Sequence, residues 1–459
     1  MHVVIVGAGP AGLYTAICLA RRGRRVTVVE RDSGPADVAW STRAGVMQFH
    51  HPHFFREPVH AALLAEVPEV WDALLAAGAV PVPVPDQPQL LAGFRCRRVT
   101  FERVLRAAAA RQPGVTVTIG HAERVERAGG RATGVWVDGQ VLPADVVIDA
   151  TGRAGRLTRE LRGPGEGGDC GIAYVSRQYQ RRPGAPDGPI NAPPGLINWH
   201  PGYHVIAFPH ERGTLSVLIA RAASDHRLTA LRHPAAFDAA TAAIPALAAW
   251  TAHAEPISPV LPGGRLYNSY RSQPGQGGQI LPGLFFLGDA VITTNPIGGL
   301  GVSTALLQAR ALVDLLDEHG TDHAACGLAF DAWCERVIRP WFSDYAYRDA
   351  DLVRRWNGAD IDLSKPLPSD LIVAAAHTDP TLAAAVAPYL LMQAPPASLS
   401  PIAPHARARY ATGWRPTIPA GPDADQLADL VMHAARRQVG AGDGHGSHAA
   451  HARMSVSFG

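Results

Sequence analysis

Three glycines near the start of the chain have the spacing of a dinucleotide site. Gly7, Gly9 and Gly12 form a G-x-G-x-x-G pattern, in which the glycines allow a tight turn and the close approach of a pyrophosphate. The N–H groups that open the following helix would point at that pyrophosphate. Glu30 ends the next apolar run, where a carboxylate can accept a hydrogen bond from a ribose hydroxyl. The pattern therefore predicts a dinucleotide-binding unit over residues 1–30.

A histidine-rich segment, residues 41–53, carries side chains that could act on a substrate. His50, His51 and His53 lie close together in it, and histidine can give or take a proton near neutral pH. The histidines could equally anchor the loop, and both interpretations stay open. A metal site is not expected, because no carboxylate or fourth ligand is spaced to complete one. The catalytic candidates from this segment are His50 and His53.

Apolar, β-branched runs indicate the strands that must position these motifs. Such runs at 3–6, 25–29, 145–149 and 284–287 are typical of buried parallel strands. Residues 169–278 instead combine strand-like runs with turns rich in proline and glycine, which predicts a mostly antiparallel domain. A run typical of a parallel strand, 284–287, follows residues 169–278, so these residues are predicted to be inserted into the parallel domain. The predicted fold class is therefore α/β, with a discontinuous Rossmann-type domain.

The predicted domain organisation follows from these changes in pattern. Residues 1–168 and 279–345 would form the nucleotide-binding domain, 169–278 the substrate-binding β-sheet domain, 346–438 a helical C-terminal region and 439–459 a disordered tail. The tail is rich in glycine, alanine and histidine. The apolar stretch 369–393 is expected to pack against the body of the protein or against a second subunit, as in a homodimer.

Composition excludes several classes of partner. The 459 residues carry a net charge of +2 and are 47% hydrophobic, which gives no reason to expect nucleic acid or an anionic membrane as partner. The five cysteines form no C-x-x-C pair, as expected in a reducing cytoplasm. We find neither a basic signal-peptide start nor an apolar run of eighteen residues, so we expect a cytoplasmic protein without a membrane span.

Four segments together resemble a known family. They are the Gly7–Gly12 fingerprint with Glu30, the run 43–46, the Asp149-x-x-Gly152 segment, and Gly288-Asp289 with Pro296-x-Gly298-x-x-Gly301. In order and spacing they resemble the flavoprotein monooxygenases of the p-hydroxybenzoate hydroxylase fold. The runs 147–153 and 45–53 look closest to the epoxidase and hydroxylase branch of natural-product pathways. The resemblance covers roughly residues 1–345 and implies a GR2-like FAD-binding domain.

The resemblance implies a role for each matched position, with FAD bound non-covalently. The fingerprint glycines would seat the pyrophosphate, and Glu30 would hold the adenosine ribose. Arg43 and Arg98 would contact the phosphates or the ribityl chain, and Asp289 the ribityl hydroxyls. Residues 296–301 would lie beside the isoalloxazine ring, where glycines allow close approach and a helix N-terminus stabilises negative charge. The cofactor-binding candidates are Gly7, Gly9, Pro10, Ala11, Gly12, Glu30, Arg31, Arg43, Gln48, Arg98, Asp149, Gly152, Gly288, Asp289, Pro296, Gly298, Gly299, Leu300 and Gly301; Pro296 is also a catalytic candidate.

The resemblance implies an FAD-dependent monooxygenase that hydroxylates or epoxidises an apolar or aromatic small molecule. O2 would be activated as a flavin C4a-hydroperoxide. The family's usual D-G pair is here Thr151-Gly152, so either NAD(P)H or a separate flavin reductase could supply electrons. Halogenation is not expected, because the W-x-W-x-I-P signature and a lysine near residue 80 are absent. Two alternatives remain open: a reductase or dehydrogenase of the geranylgeranyl-reductase type, and a flavin-binding protein without turnover.

Overall fold

The computed structural model describes residues 1–32, 43, 46–84, 87–153 and 155–442. Residues 41, 42, 44 and 45 of the predicted loop and residues 443–459 of the predicted tail lie outside the described residues. The strands are, in chain order, β1 His2–Val6, β2 Arg25–Glu30, β3 Phe55–Arg56, β4 Val80–Val84, β5 Gln87–Arg95, β6 Val115–Ile119, β7 Ala122–Ala128, β8 Arg131–Val137, β9 Gln140–Pro143, β10 Val146–Asp149, β11 Glu166–Asp169, β12 Ile172–Arg181, β13 Leu196–His200, β14 Tyr203–Pro209, β15 Thr214–Ala222, β16 Ala254–Pro256, β17 Leu261–Gly263, β18 Tyr267–Tyr270, β19 Leu284–Phe286 and β20 Ile292–Thr293.

The helices alternate with these strands at first and follow one another without strands after residue 300. They are α1 Pro10–Arg21, α2 Glu57–Glu66, α3 Pro68–Ala76, α4 Arg98–Arg111, α5 Pro234–Ala243, α6 Pro245–Thr251, α7 Gly301–His319, α8 His323–Val337, α9 Arg339–Trp356, α10 Ser369–Ala376, α11 Pro380–Leu390, α12 Ala403–Ala411 and α13 Ala424–Gly442. The predicted disordered tail, 439–459, therefore begins too early, because helix α13 continues to Gly442.

A five-stranded parallel sheet forms the nucleotide-binding part, with the order β19-β10-β1-β2-β6. Residues 3–6 of β1 and 146–148 of β10 are continuously apolar because these central strands are covered on both faces. Val3 of β1 lies opposite Val146 of β10, and Val147 of β10 lies opposite Leu284 of β19. Strand β19 thus rejoins the sheet after the inserted residues, which confirms the predicted discontinuous Rossmann-type fold.

The sequence between strands β10 and β19 contributes an antiparallel sheet. Its strand order is β13-β14-β15-β12-β16, and β17 also pairs with β12. Side chains alternate between its two faces. On strand β14, Val205 and Ala207 pack into the core beneath helices α5 and α6. Ile206 and Phe208 point to the opposite face, where they line a cavity. The inserted, mostly antiparallel domain is therefore confirmed.

The helices after α7 divide between the two cores. Apolar residues of α8 to α12, such as Phe330, Leu371 and Tyr410, join the core of the parallel sheet. The apolar stretch 369–393 thus packs against the body of its own chain. Helix α13 instead returns to helix α5, where Leu427 and Val431 are fully buried. Within the described ranges, no helix is both long and apolar enough to cross a membrane.

Candidate functional site

One cavity of about 840 Å³ runs from the carboxyl ends of the parallel strands to the open face of the antiparallel sheet. Ligands of open α/β sheets bind at this edge, because the loops there diverge around a crevice. The volume lies toward the upper end of the range of about 300–1,000 Å³ that is usual for small-molecule pockets. One end of the cavity has the features of a dinucleotide site, and the other end is apolar.

The fingerprint glycines shape the dinucleotide end. Gly7 has φ +109°, and a Cβ there would lie 2.4 Å from the carbonyl oxygen of Ala150. A Cβ on Gly12 would lie 2.0 Å from the oxygen of Gly7, so Gly12 serves helix–strand packing. Around Gly9, by contrast, nothing lies within 4 Å of an added Cβ, and Gly9 lines the cavity. Helix α1 begins beside it at Pro10, and this open cradle at a helix N-terminus fits a pyrophosphate.

Glu30 and Arg43, predicted to bind different parts of the cofactor, contact each other. Glu30 Oε2 accepts hydrogen bonds from Ala8 N at 2.8 Å and from Arg43 Nη2 at 2.5 Å. Arg43 also donates to Glu102 at 2.7 Å and to Asp32 at 3.3 Å. Burial alone would lower the pKa of Arg43, but the carboxylates of Glu102 and Glu30 outweigh it and raise that pKa. Both residues line the cavity, so a ligand there meets an ion-paired cluster.

Asp289 presents a carboxylate to the middle of the cavity. Its side chain is exposed to the cavity, yet protein surrounds it, and this desolvation raises its pKa. The positive charges of Arg98 and Arg153 oppose that rise. Within the described ranges, no protein donor satisfies this carboxylate. It is therefore suited to accept hydrogen bonds from hydroxyl groups such as those of a ribityl chain.

The glycine-rich turn after Asp289 approaches the cavity, but its glycines serve different purposes. Asn295 Oδ1 accepts a hydrogen bond from Ile297 N at 3.2 Å and so caps the short 3-10 turn Pro296–Gly298. A Cβ on Gly298 would lie 2.0 Å from Cε1 of Tyr345, so this glycine is required by packing against helix α9. Gly298 also lines the cavity, so its place beside a flat ring stays a prediction. A Cβ on Gly301 would meet nothing closer than Asp289 Oδ1 at 3.9 Å, so Gly301 leaves space at the cavity.

Most of the predicted site residues line this cavity. They are Gly7, Gly9, Pro10, Ala11, Glu30, Arg31, Arg43, Gln48, His53, Arg98, Gly152, Gly288, Asp289, Pro296, Gly298, Gly299 and Gly301. Gly12, His50, Asp149 and Leu300 do not. Leu300 is buried at the start of helix α7. The Asp149 carboxylate turns inward, where it accepts hydrogen bonds from Thr151 N at 3.0 Å and from the hydroxyls of Thr151 and Thr158.

The histidine loop is fixed to strand β12 by alternate residues of that strand. Tyr174 OH and the Gln48 amide are hydrogen-bonded, with Gln48 Nε2 2.8 Å from the hydroxyl. Ser176 Oγ lies 2.7 Å from His51 Nδ1. Gln178 Nε2 donates to the carbonyl of His50 at 2.8 Å. His50 thus contributes its backbone carbonyl to this attachment.

His53 differs from its neighbours because it lines the cavity with a defined tautomer. Its Nδ1 lies 2.8 Å from the carbonyl oxygen of His51. A carbonyl can only accept, so Nδ1 carries the proton and Nε2 is left as an acceptor. Burial lowers the pKa of His53 well below its usual value, and Arg98 adds to the effect. Burial also lowers the pKa of His51 to about 4. Both imidazoles are therefore neutral at neutral pH.

The structure adds residues to the site that the motifs did not indicate. Arg56 and Arg153 line the cavity, and so do the sheet residues Ile197, Ile206 and Leu218. Strands β14 and β15 are buried on both faces, so their sequence pattern does not say which face borders a ligand site. Among the residues described, no cluster of histidine, cysteine or carboxylate side chains could hold a metal ion.

Comparison with known proteins gives a consistent result. Residues 2–106 match the FAD dependent oxidoreductase family. An indole-3-pyruvate monooxygenase of Oryza sativa subsp. indica is 42% identical over 66 residues, which is 14% of this chain and 15% of that protein. An all-trans-zeta-carotene desaturase of Myxococcus xanthus is 65% identical over 34 residues, or 7% of this chain and 6% of that protein. The chain thus spans only a small part of these curated relatives.

Solved structures match over much more of the chain. A flavin-dependent brominase superposes with a TM-score of 0.63 at 17% identity, covering 90% of this chain and 100% of the brominase. The probable FAD-dependent monooxygenase PqsL of Pseudomonas aeruginosa gives 0.54 at 18% identity, covering 78% and 99%. The 2-methyl-3-hydroxypyridine-5-carboxylic acid oxygenase gives 0.54 at 16% identity, covering 85% and 97%. The predicted fold and the resemblance to FAD-dependent oxidoreductases are confirmed.

Proposed function

We propose that this protein is an FAD-dependent monooxygenase that inserts one oxygen atom from O2 into an apolar or aromatic small molecule. One observation carries the proposal: a single cavity joins a dinucleotide cradle at Gly9 to an apolar wall on the antiparallel sheet. The monooxygenases among the relatives and fold neighbours support it. Hydroxylation and epoxidation both fit this geometry.

The residues present fit FAD along the cavity. The N-terminus of helix α1 would hold the pyrophosphate, and Asp289 would accept from ribityl hydroxyls. The backbone of residues 299–301 would face the flavin ring. Reduced FAD supplies the electrons that activate O2. The protein binds and orients both partners, and the apolar side chains Ile206, Phe208 and Leu218 keep water from the reacting atoms.

His53 is the side chain we assign to the substrate. Its Nε2 is free to accept a hydrogen bond, since Nδ1–H is committed to His51 O. A hydroxyl or N–H group of the substrate could donate to it, which would orient the substrate or receive its proton. His50, the other histidine candidate, does not line the cavity, so we assign it no catalytic role.

The electron source and cellular location are part of the proposal. We assign NAD(P)H, used directly or through a separate flavin reductase, as the reductant. All five cysteines are buried and unpaired, which supports a reducing cytoplasm. The chain's single lysine, Lys365, lies outside the cavity with 65% of its side chain exposed. We therefore do not extend the likeness to the brominase into halogenation.

Turnover under 18O2 tests the proposal. The protein, loaded with FAD and supplied with NAD(P)H and a flavin reductase, would be incubated with a panel of apolar aromatic and alkene compounds. We expect a product that gains a single 18O atom by mass spectrometry. An unlabelled product changed by two hydrogens would identify a reductase or dehydrogenase instead. A halogenated product in the presence of bromide would identify a halogenase, and FAD binding without turnover of any compound would favour a binding protein.

A further inference from the structure

Asn268 of strand β18 connects the C-terminal helix α9 to the turn beside the cavity. Its Oδ1 accepts a hydrogen bond from Asn295 N at 2.7 Å. Its Nδ2 donates to Asp349 Oδ2 at 2.8 Å and to the carbonyl of Tyr345 at 3.3 Å. Asn268, Asn295 and Asp349 are all buried. Because a backbone N–H can only donate and a carboxylate can only accept, the amide has one permitted orientation.

The partners of Asn268 extend this connection to the cavity. The side chain of Asn295 caps Ile297 N, which starts the turn Pro296–Gly298. Tyr345, one helical turn before Asp349, fills the space that a side chain at Gly298 would need. From the other side, Arg56 donates to the Gly298 carbonyl at 2.8 Å and also to the carbonyl of Leu390. The turn is therefore held by groups from β3, β18, α9 and α11.

We propose that Asn268 is a positioning residue that transmits the placement of helix α9 to the turn Pro296–Gly298 and the start of helix α7. The inference rests on the proposed function, because the backbone of residues 299–301, which follows that turn and opens helix α7, is the part assigned to the flavin ring. It gives the C-terminal helices, which lie outside the family match, a specific task in the FAD site. A fully satisfied buried network of this kind specifies a single arrangement, and a half-satisfied one does not.

A charge exchange tests the role of Asn268. Asn268→Asp keeps the shape of the side chain but places a second carboxylate against Asp349. Combining it with Asp349→Asn restores two of the three hydrogen bonds: the new carboxylate accepts from Asn295 N through one oxygen and from the new amide at position 349 through the other. The longer bond to the Tyr345 carbonyl stays lost, because a carboxylate cannot donate. In the wild type, Arg348 Nη2 lies 3.3 Å from Asp349 Oδ1, so moving the negative charge to position 268 keeps it near Arg348. A rescue by the pair would show that the hydrogen-bond pattern, rather than either residue alone, matters.

Two readouts separate positioning from general stability. The affinity of the apoprotein for FAD would be measured by titration, and hydrogen exchange of residues 295–301 would be measured on the apoprotein. For Asn268→Asp we expect about tenfold weaker FAD binding, the effect of one lost buried hydrogen bond, together with faster exchange at 295–301. The Asn268→Asp and Asp349→Asn pair should recover most of the loss, to within about threefold of the wild type, because only the long bond to the Tyr345 carbonyl stays broken.

Trp250→Phe is the control for destabilisation. It removes the 3.1 Å hydrogen bond to the carbonyl of Pro189 in the core beneath helix α6. It should lower stability without changing FAD affinity or exchange at 295–301. If Asn268→Asp does not fold alone, Asn268→Ser, which removes bonds without adding charge, takes its place.

Each outcome decides a separate point. Unchanged FAD affinity and unchanged exchange in Asn268→Asp would overturn the inference, and so would a pair no better than the single variant. If the wild-type chain binds no FAD, the proposed function fails and the flavin part of this inference fails with it. Hydrogen exchange on the apoprotein would still decide whether Asn268 couples helix α9 to the turn.

Discussion

His51 Nδ1 lies 2.7 Å from the hydroxyl oxygen of Ser176, in the interior of the protein. This contact is the middle of three that bind the histidine loop to strand β12, between Tyr174–Gln48 and Gln178–His50. The ring of His51 also meets Tyr174 edge-on, with centroids 4.8 Å apart. Because loop and strand both line the cavity, their attachment keeps one wall of the site closed.

Ser176→Ala should loosen this wall without affecting FAD content. Leaving a buried imidazole nitrogen without its partner costs roughly 1–3 kcal/mol, so the loop would open more often and admit water. We expect a several-fold larger fraction of the consumed NAD(P)H to appear as H2O2 instead of oxygenated product. Ser258→Ala, which changes a more exposed hydroxyl bonded to Gln178 N, is the matched control. Equal H2O2 yields in both variants would contradict the assignment.

His204→Phe should make the protein more resistant to acid. Both ring nitrogens of His204 are buried without a hydrogen-bond partner among the residues described, and the ring stacks on Trp199 at 4.0 Å. Burial, reinforced by Arg348 and His200, lowers the pKa of His204 to about 3. The unfolded chain therefore binds a proton at this site near pH 6.5, while the folded chain does not until about pH 3.

The sign of the effect follows from that difference. The stability associated with neutral His204 is complete above pH 6.5 and is lost as the pH falls toward the folded pKa. By pH 5 the loss is about 2 kcal/mol, at 1.36 kcal/mol per pH unit. Between pH 7 and pH 5 the unfolding free energy, measured in urea, should fall by about 2 kcal/mol less in His204→Phe than in the wild type. An identical pH slope in variant and wild type would show that folding does not lower the pKa of His204.

Local patterns made the nucleotide-binding part predictable. The glycine fingerprint, the apolar parallel strands and the Gly288-Asp289 pair each occupy a short stretch of sequence, and each contributes residues that line the cavity. Gly12 is the instructive exception, because its role in the fingerprint is packing against Gly7 and not contact with a ligand. Spacing alone cannot distinguish these two uses of a glycine.

The rest of the site depends on pairs that are distant in sequence. His51 meets Ser176 and Asn268 meets Asp349 only after the antiparallel sheet and the C-terminal helices have packed. No local periodicity encodes such a pair. The type and position of Asp149 predict contact with the cofactor. In the folded chain its carboxylate accepts hydrogen bonds from Thr151 N and from the Thr158 hydroxyl, and these partners could not be predicted from the motif.

The purified protein should be yellow and should release FAD intact when precipitated with acid. The cavity offers hydrogen bonds, a helix N-terminus and packing, and every cysteine is buried away from it. Non-covalent binding is therefore expected. After trichloroacetic acid precipitation, the flavin absorbance should remain in the supernatant and behave chromatographically as FAD. Flavin retained in the pellet would demonstrate a covalent bond.

Asp289→Ala should weaken FAD binding while leaving the fold intact. The carboxylate faces the cavity without a protein donor among the described residues, so its removal breaks no internal hydrogen bond. A charge-assisted hydrogen bond to a ribityl hydroxyl is worth roughly 1.5–3 kcal/mol, or about one to two decades in affinity. Titration of the apoprotein with FAD, followed by flavin fluorescence, measures the change.

Asp72→Ala on the exposed face of helix α3 is the control and should bind like the wild type. Asp289→Asn should fall between the two, because an amide oxygen still accepts a hydrogen bond but lacks the charge. If Asp289→Ala retained wild-type affinity, the ribityl chain could not lie beside Asp289, and the orientation of FAD assigned to the cavity would have to be abandoned.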